Sequence, residues 1–227
     1  MLHNTVVTVV AKTQYQNLIK GNGMAFSIGR MLESFDRRFD LETLEEFQRH
    51  FESSVADRKK SLQSEYSDLT ADHFEDPEDF PNYQSHLEDE FFSLDEVQKL
   101  GYELCVVALY KQVELHTKQV VKRNFPSVDE KALFNFDKLK AALPFKMGKL
   151  KNYAAVNELR LLNNAIKHEG RVSKELAKSY PTWKAGEKLD SLEFALNRLS
   201  PLIQKYVEEF VAAAYQHSVK YKKTVAP

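Results

Sequence analysis

Apolar residues recur at steps of three and four along much of this 227-residue chain. Between Leu41 and Leu69 they fall at Leu41, Leu44, Phe47, Phe51 and Val55 among Glu, Gln, Lys and Arg. That spacing predicts an amphipathic helix with a narrow apolar stripe. The acidic, proline-punctuated stretch from Asp72 to Tyr83 predicts a loop or a break between helices. Ser93 and Glu96 have capping-box spacing, so a second long helix is expected to start there, run toward Arg123 and stop before Pro126. Its centre, Leu104 to Tyr110, is apolar all round and reads as buried core. A short helix is expected around Phe136–Leu143. A third long helix is expected from Lys151 to His168, with Ala154, Ala155, Leu159, Leu162 and Ile166 on its apolar face and Gly170 as its C-cap. A last helix is expected over Leu202–His217, with Pro201 in its first turn behind Ser200. Only Thr5–Ala11 has the Val-rich run that suits a short strand. The pattern predicts an all-α helical bundle with long antiparallel helices.

Composition narrows the class. Hydrophobic residues make up 43% and Gly plus Pro only 14 residues, so the chain can bury a core and is not of low complexity. The single cysteine, Cys105, excludes a disulfide scaffold and an all-Cys zinc site and suits a reducing cytosol, so a cytoplasmic location is expected. No apolar run nears the roughly 18 residues of a membrane span, and Met1–Ala11 lacks the basic flank of a signal peptide. No membrane partner is expected.

Charge changes the picture once it is divided. The chain carries 32 basic and 33 acidic side chains, a net of −1. Residues 1–99 hold 10 basic and 20 acidic side chains, whereas residues 100–227 hold 22 and 13, so the halves carry −10 and +9. Either the halves pack together and neutralise, or the basic half offers a face to a polyanion. The organisation expected from this split is an acidic N-terminal helical appendage over residues 1–85, a helical bundle over 86–219 and a basic tail over 220–227, the last marked by Lys220-Tyr221-Lys222-Lys223.

Candidate chemistry concentrates in Glu158-Leu159-Arg160-Leu161-Leu162-Asn163-Asn164-Ala165-Ile166-Lys167-His168-Glu169-Gly170. Arg160, Asn164 and His168 stand at successive steps of four, and each step turns a helix about 40° beyond a full turn. The three therefore form a slanting polar strip beside the apolar face. Histidine exchanges a proton near neutral pH, Arg grips a phosphate by two parallel bonds, and Asn orients either. The plain alternative is a solvated, basic helix end.

The string resembles two families. Leu162 to His168 is similar to the N-box helix of the ATP-binding module of histidine kinases, but Arg160 stands where that helix carries Glu. No Asp-x-Gly-x-Gly follows, so the phosphates would lack their backbone cradle. The fuller resemblance is to the HEPN superfamily, whose signature is an Arg, commonly followed by Asn, and a His a few residues beyond, on one helix of a four-helix bundle. Asn164-Ala165-Ile166-Lys167-His168 looks like the latter part of that motif, and Glu169-Gly170 suits the turn after it. The preceding helix with Leu109-Tyr110-Lys111-Gln112-Val113-Glu114, and Leu192-Glu193-Phe194 leading into the last helix, are also similar. The resemblance spans about Leu94–Gln216. One position departs from it: Asn163 stands where Arg is usual. The nearest arginine, Arg160, is separated from His168 by seven residues, a rise of about 12 Å. Arg160 either substitutes for the missing Arg or lies beside an inactive site.

The resemblance implies RNA as substrate or ligand and a homodimer, with an antitoxin or effector protein as a further partner. If the site is active, it implies cleavage with no metal and no cofactor, in a toxin or antiviral defence system of a prokaryote. His168 would be the general base or acid, Arg160 the stabiliser of transition-state charge and Asn164 the orienting group. Asn163, Lys167 and Arg171 would bind substrate, and Glu114 would support the strip as a charge partner. The alternative reading is a non-catalytic HEPN-like module that binds RNA, a nucleotide or a protein.

Other fragments read as structural. Gly21-Asn22-Gly23 followed by Gly29 lacks the spacing of a phosphate loop and reads as a turn. Asp72–Asp79 with His73 lacks EF-hand positions and reads as a solvated loop. His50 and Glu46 form a one-turn pair on a polar helix face. The Lys220–Lys223 tail reads as a solubilising end.

Overall fold

A computed structural model describes residues 28–225, with side chains described from residue 30 to residue 218. The strand expected at Thr5–Ala11 and the turn at Gly21-Asn22-Gly23 lie outside the described residues. Those that are described form seven α-helices: α1 (Ile28–Asp36), α2 (Glu42–Asp68), α3 (Asp79–Asn124), α4 (Phe136–Ala142), α5 (Tyr153–His168), α6 (Lys174–Ser179) and α7 (Leu192–Val225). Short 3₁₀ turns at Ala71–His73, Glu130–Phe134 and Met147–Lys149 join them. The fold is an all-α bundle, as the periodicity predicts. No described helix is long and apolar enough to cross a membrane.

Two helices are longer than expected, and each extension passes a proline. α3 starts at Asp79 rather than Ser93, which makes it 46 residues long, or about 69 Å. Pro81 sits in its first turn, where the backbone N–H has no helical acceptor in any case, so the ring costs nothing there. α7 starts at Leu192 and carries Pro201 in its interior. Proline cannot donate to the carbonyl one turn back, and the Ser200 hydroxyl donates to the Leu196 carbonyl at 2.9 Å in the same turn. The buried residues Leu196, Leu199, Ile203, Tyr206, Val207 and Phe210 run on either side of the proline, so packing of that face holds the helix together across it. The helical backbone continues through the Lys220–Lys223 stretch to Val225.

α3 is the axis of the bundle and packs against α2, α5 and α7. Arg58 with Glu90, Lys59 with Asp95 and Tyr66 with Glu88 make α2 and α3 an antiparallel hairpin. α5 in turn lies antiparallel to α7, with Glu158 bonded to Arg198 and Tyr153 against Tyr206. α3 and α7 run the same way: Tyr102 shares a groove with Leu192 and Glu193, while Arg123 and Tyr215 both donate to Asp36 of α1. The core lies among the second half of α3, α5 and α7, built on Leu109, Val113, Val120, Leu159, Leu162, Ile203, Phe210 and Val211. In the first half of α3 before Gly101 only Leu87 is buried, and α2 buries Leu44, Val55 and Leu62. The acidic hairpin thus rests on the bundle, and α3 passes residue 85 without a break. Among the described side chains, Arg123–Asp36 is the one ion pair between the acidic and basic halves.

Candidate functional site

α5 supplies the strip, and its ends fix where the strip points. Asn152 precedes the helix in the left-handed region at φ 57°, which asparagine tolerates better than most side chains. Ala155, Val156, Leu159, Leu162 and Ala165 then face the core. At the other end the Glu169 and Gly170 N–H groups both donate to the Ala165 carbonyl, at 3.0 and 2.9 Å, and Gly170 takes φ +61°. This cap ends the helix directly after His168 and leaves that imidazole on the last turn, exposed.

His168 and Asn164 share one open cleft. Its volume is about 420 Å³, and its walls are Leu161, Asn164, His168 and Glu169 from α5 and Ser173, Lys174 and Glu175 from the start of α6. The opposite wall is held by the Ser173 hydroxyl, which accepts from the Leu176 N–H at 3.1 Å as an N-cap. Lys167, Arg171, Lys174 and Lys178 are all exposed around this end of α5 and α6. Against them stand Glu169 and Glu175. The imidazole of His168 makes no hydrogen bond or ion pair with the described residues. Asn164 accepts from the Asn163 amide at 3.4 Å.

Arg160 is the strip residue that the structure places under restraint. Its guanidinium donates to the Asn157 side-chain carbonyl at 3.3 and 3.2 Å and to Glu175 at 3.3 Å, and it lies 5.1 Å from the centre of the Phe136 ring. Arg160 is thereby tied to the cleft wall through Glu175 and does not stand free in the cleft.

The remaining expected site residues divide. Lys167 is exposed on the last turn of α5. Arg171 is exposed and donates to the Gly186 carbonyl at 3.1 Å, which links it to the loop before α7. Asn163 is buried, and its Oδ1 has no hydrogen-bond partner among the described residues. Glu114 takes Lys118 as its ion partner at 2.9 Å. It lines a cavity of about 30 Å³ with Tyr110, Thr117 and Tyr206. The Tyr110 hydroxyl titrates higher than usual, chiefly from burial and then from the Glu114 charge, against an opposing pull from Arg160. Glu114 and Arg160 thus pull the same hydroxyl in opposite directions. Among the described residues no three His, Cys, Asp or Glu side chains converge to hold a metal ion.

Sequence reasoning missed the far wall of the cleft and its support. Ser173 followed by Lys174-Glu175-Leu176 is a helix-start pattern, and that signal would have placed Ser173 and Glu175 next to α5. Glu158 was also overlooked. It is 3% exposed and accepts from Trp183 Nε1 at 2.8 Å and from both terminal nitrogens of Arg198, at 2.6 and 3.1 Å. A carboxylate beside Leu159, Leu161 and Leu162 signals a buried partner, because an unpaired buried charge is too costly to keep. These bonds fix the segment between α6 and α7 against α5. The chain matches no protein-family model, no curated protein and no solved structure.

Proposed function

We propose that this chain is a HEPN-like endoribonuclease that works without a metal, with the cleft between α5 and α6 as its site. One observation carries the reading: Glu175, which holds Arg160, lines the same cleft as Asn164 and His168. Asn164 and His168 line that opening, and Arg160 is held at its wall through Glu175. The carboxylate that occupies Arg160 is 66% exposed at its side chain, so a phosphate can take its place. In the proposed reaction His168 takes the proton of a ribose 2′-hydroxyl, or returns one to the leaving 5′-oxygen. Asn164 orients the phosphate, and Arg160, released from Glu175, meets the charge that builds on the phosphorane-like transition state. Lys167, Lys174 and Arg171 hold the flanking backbone. Such an activity suits a toxin or a defence effector.

A second reading has its own observation. Asn163 occupies the motif position of the usual Arg and is buried, so no guanidinium stands next to Asn164. This favours a module that binds RNA at the same cleft without cutting it. Purified protein incubated with structured RNA in EDTA separates the two. Cleavage that disappears in His168→Ala supports the nuclease. Binding without cleavage, with an affinity that falls steeply with salt, supports the binding module. No cleavage and no salt-dependent binding would remove both.

A further inference from the structure

We propose that Phe134, Phe136 and the lysines around them form a second subsite, which holds the single-stranded RNA that leads out of the α5–α6 cleft. The inference deepens the RNA reading of that cleft and rests on it. Phe134 closes the 3₁₀ turn before α4, and it is 71% exposed, with the Lys118 ammonium of α3 4.6 Å from its ring centre. The ring adds little to the core. A large exposed ring backed by a cation is a stacking surface for a base. Phe136, two residues on, is half-buried. The Lys140 ammonium lies 5.5 Å from its centre and 5.6 Å from the centre of the Tyr153 ring, which opens α5. The Arg160 guanidinium lies 5.1 Å from the same Phe136 ring and also meets Glu175 of the cleft wall. Arg160 thereby joins the two sites.

Charge and aromatic character together select the occupant. Residues 131–153 carry six lysines, Lys131, Lys138, Lys140, Lys146, Lys149 and Lys151, against the single acid Asp137. Lys140 is partly exposed and the other five are exposed. Three carboxylates stand among these groups, and each is matched by a cation: Glu114 by Lys118 at 2.9 Å, Glu175 by Arg160 at 3.3 Å and Asp137 by Lys140 at 3.9 Å. The surface therefore keeps an excess of positive charge, which attracts a polyanion. Lysines alone would suit an acidic peptide equally well. The exposed phenyl ring favours nucleic acid, because every base offers a π-face to stack on it. In a duplex neighbouring bases cover those faces, so the ring selects a single strand. Along α5, Arg160 lies about 12 Å and Tyr153 about 22 Å from His168, so a strand that fills both sites spans several nucleotides.

Fluorescence anisotropy on the full chain tests it, with a labelled RNA strand of about twelve nucleotides. Its 2′-hydroxyls are methylated, so that it cannot be cut. Phe134→Ala should weaken binding about tenfold and keep the fold, since the ring is exposed. Phe134→Tyr should restore the affinity. Lys138→Ala with Lys140→Ala should lower the slope of the salt dependence by about 1.4. A duplex of the same length, and polyglutamate, should not respond to Phe134→Ala. Lys174→Ala reports the cleft separately, because Lys174 lines it. Binding that responds to Lys174→Ala but ignores Phe134 and the two lysines overturns the subsite alone. Binding that responds to Phe134→Ala but ignores Lys174 overturns the RNA reading of the cleft, and with it the continuation proposed here. No RNA binding overturns both, and a Phe134 response shared by polyglutamate overturns RNA as the occupant.

Discussion

Arg160 crosses from the middle of α5 to Glu175 at the start of α6, 3.3 Å away, and the carboxylate it meets also lines the cleft that holds His168. The pair is partly exposed, at 18 and 66% of the two side chains, so it contributes little to stability, about 0–1 kcal/mol. Its larger effect is to neutralise a cation beside the cleft. Glu175→Gln should therefore raise RNA affinity and steepen its dependence on salt by about one counterion, with little change in melting temperature. Arg160→Ala should do the reverse. Equal affinity and equal salt slope in both variants would show that Arg160 takes no part in anion binding.

Glu158 behaves differently because it is buried. Glu158→Ala strands the Trp183 indole N–H and leaves the Arg198 guanidinium without its bidentate acceptor. Loss of one member of such a network costs about 2–4 kcal/mol. Urea denaturation should show that loss. Arg198→Ala should cost less, since Arg198 is 39% exposed at its side chain and Trp183 keeps its partner. A Glu158→Ala effect below about 1 kcal/mol would contradict the burial of the network.

The bundle was legible because three of its signals are local. The stripe from Leu41 to Val55, the apolar centre of α3 and the Gly170 cap each depend on residues within a few turns. The centre of α3, however, buries Cys105, Val106 and Leu109 and leaves Leu104 50% exposed, because only one side of the helix faces the core. The two prolines misled for one physical reason: a proline signals a break, but the rule holds only where an N–H is needed and where packing on either side cannot compensate. Pro81 fails the first condition and Pro201 the second. The strip of Arg160, Asn164 and His168 was legible as one helix face. What occupies it was not, because Glu175 and Phe136 reach Arg160 from other elements. The burial of Asn163 likewise depends on how α5 is seated in the bundle.

The Tyr206 hydroxyl is buried and has no partner among the described residues. Tyr206→Phe removes a desolvated polar atom and keeps the ring contacts with Tyr153 and Phe210. Stability should hold or rise by up to about 1 kcal/mol. A loss of more than that would show that solvent in the neighbouring cavity satisfies the hydroxyl.

Alkaline pH should weaken the fold through groups buried in their neutral form. Burial lifts the Cys105 thiol from 9.0 to about 11 and also raises the Tyr110, Tyr180 and Tyr215 hydroxyls. A group whose pKa is higher in the folded state stabilises fully below its unfolded value, and that contribution is lost as pH rises through the folded one. For Cys105 the window runs from about 9 to about 11. Melting temperature should therefore start to fall near pH 9, and Cys105 in the folded protein should resist alkylation at pH 8. Rapid modification of the native thiol would show that the α2–α3 contact opens.

Gly101 puts two effects of opposite sign at one position. Glycine inside a helix costs about 1 kcal/mol relative to alanine, which alone would make Gly101→Ala stabilising. A methyl group there would meet three atoms of the Phe51 ring at 2.7–2.9 Å, closer than carbon atoms pack. Phe51 cannot give way freely, because its ring also packs edge-on against Tyr102 with centroids 5.2 Å apart. The clash should win, and Gly101→Ala should destabilise by about 1–2 kcal/mol, an overpacking cost. Phe51→Ala creates the room the methyl group needs, so in that background the same substitution should become neutral or stabilising. A double-mutant cycle measures the difference directly. Additive effects would mean that α2 is not seated on Gly101.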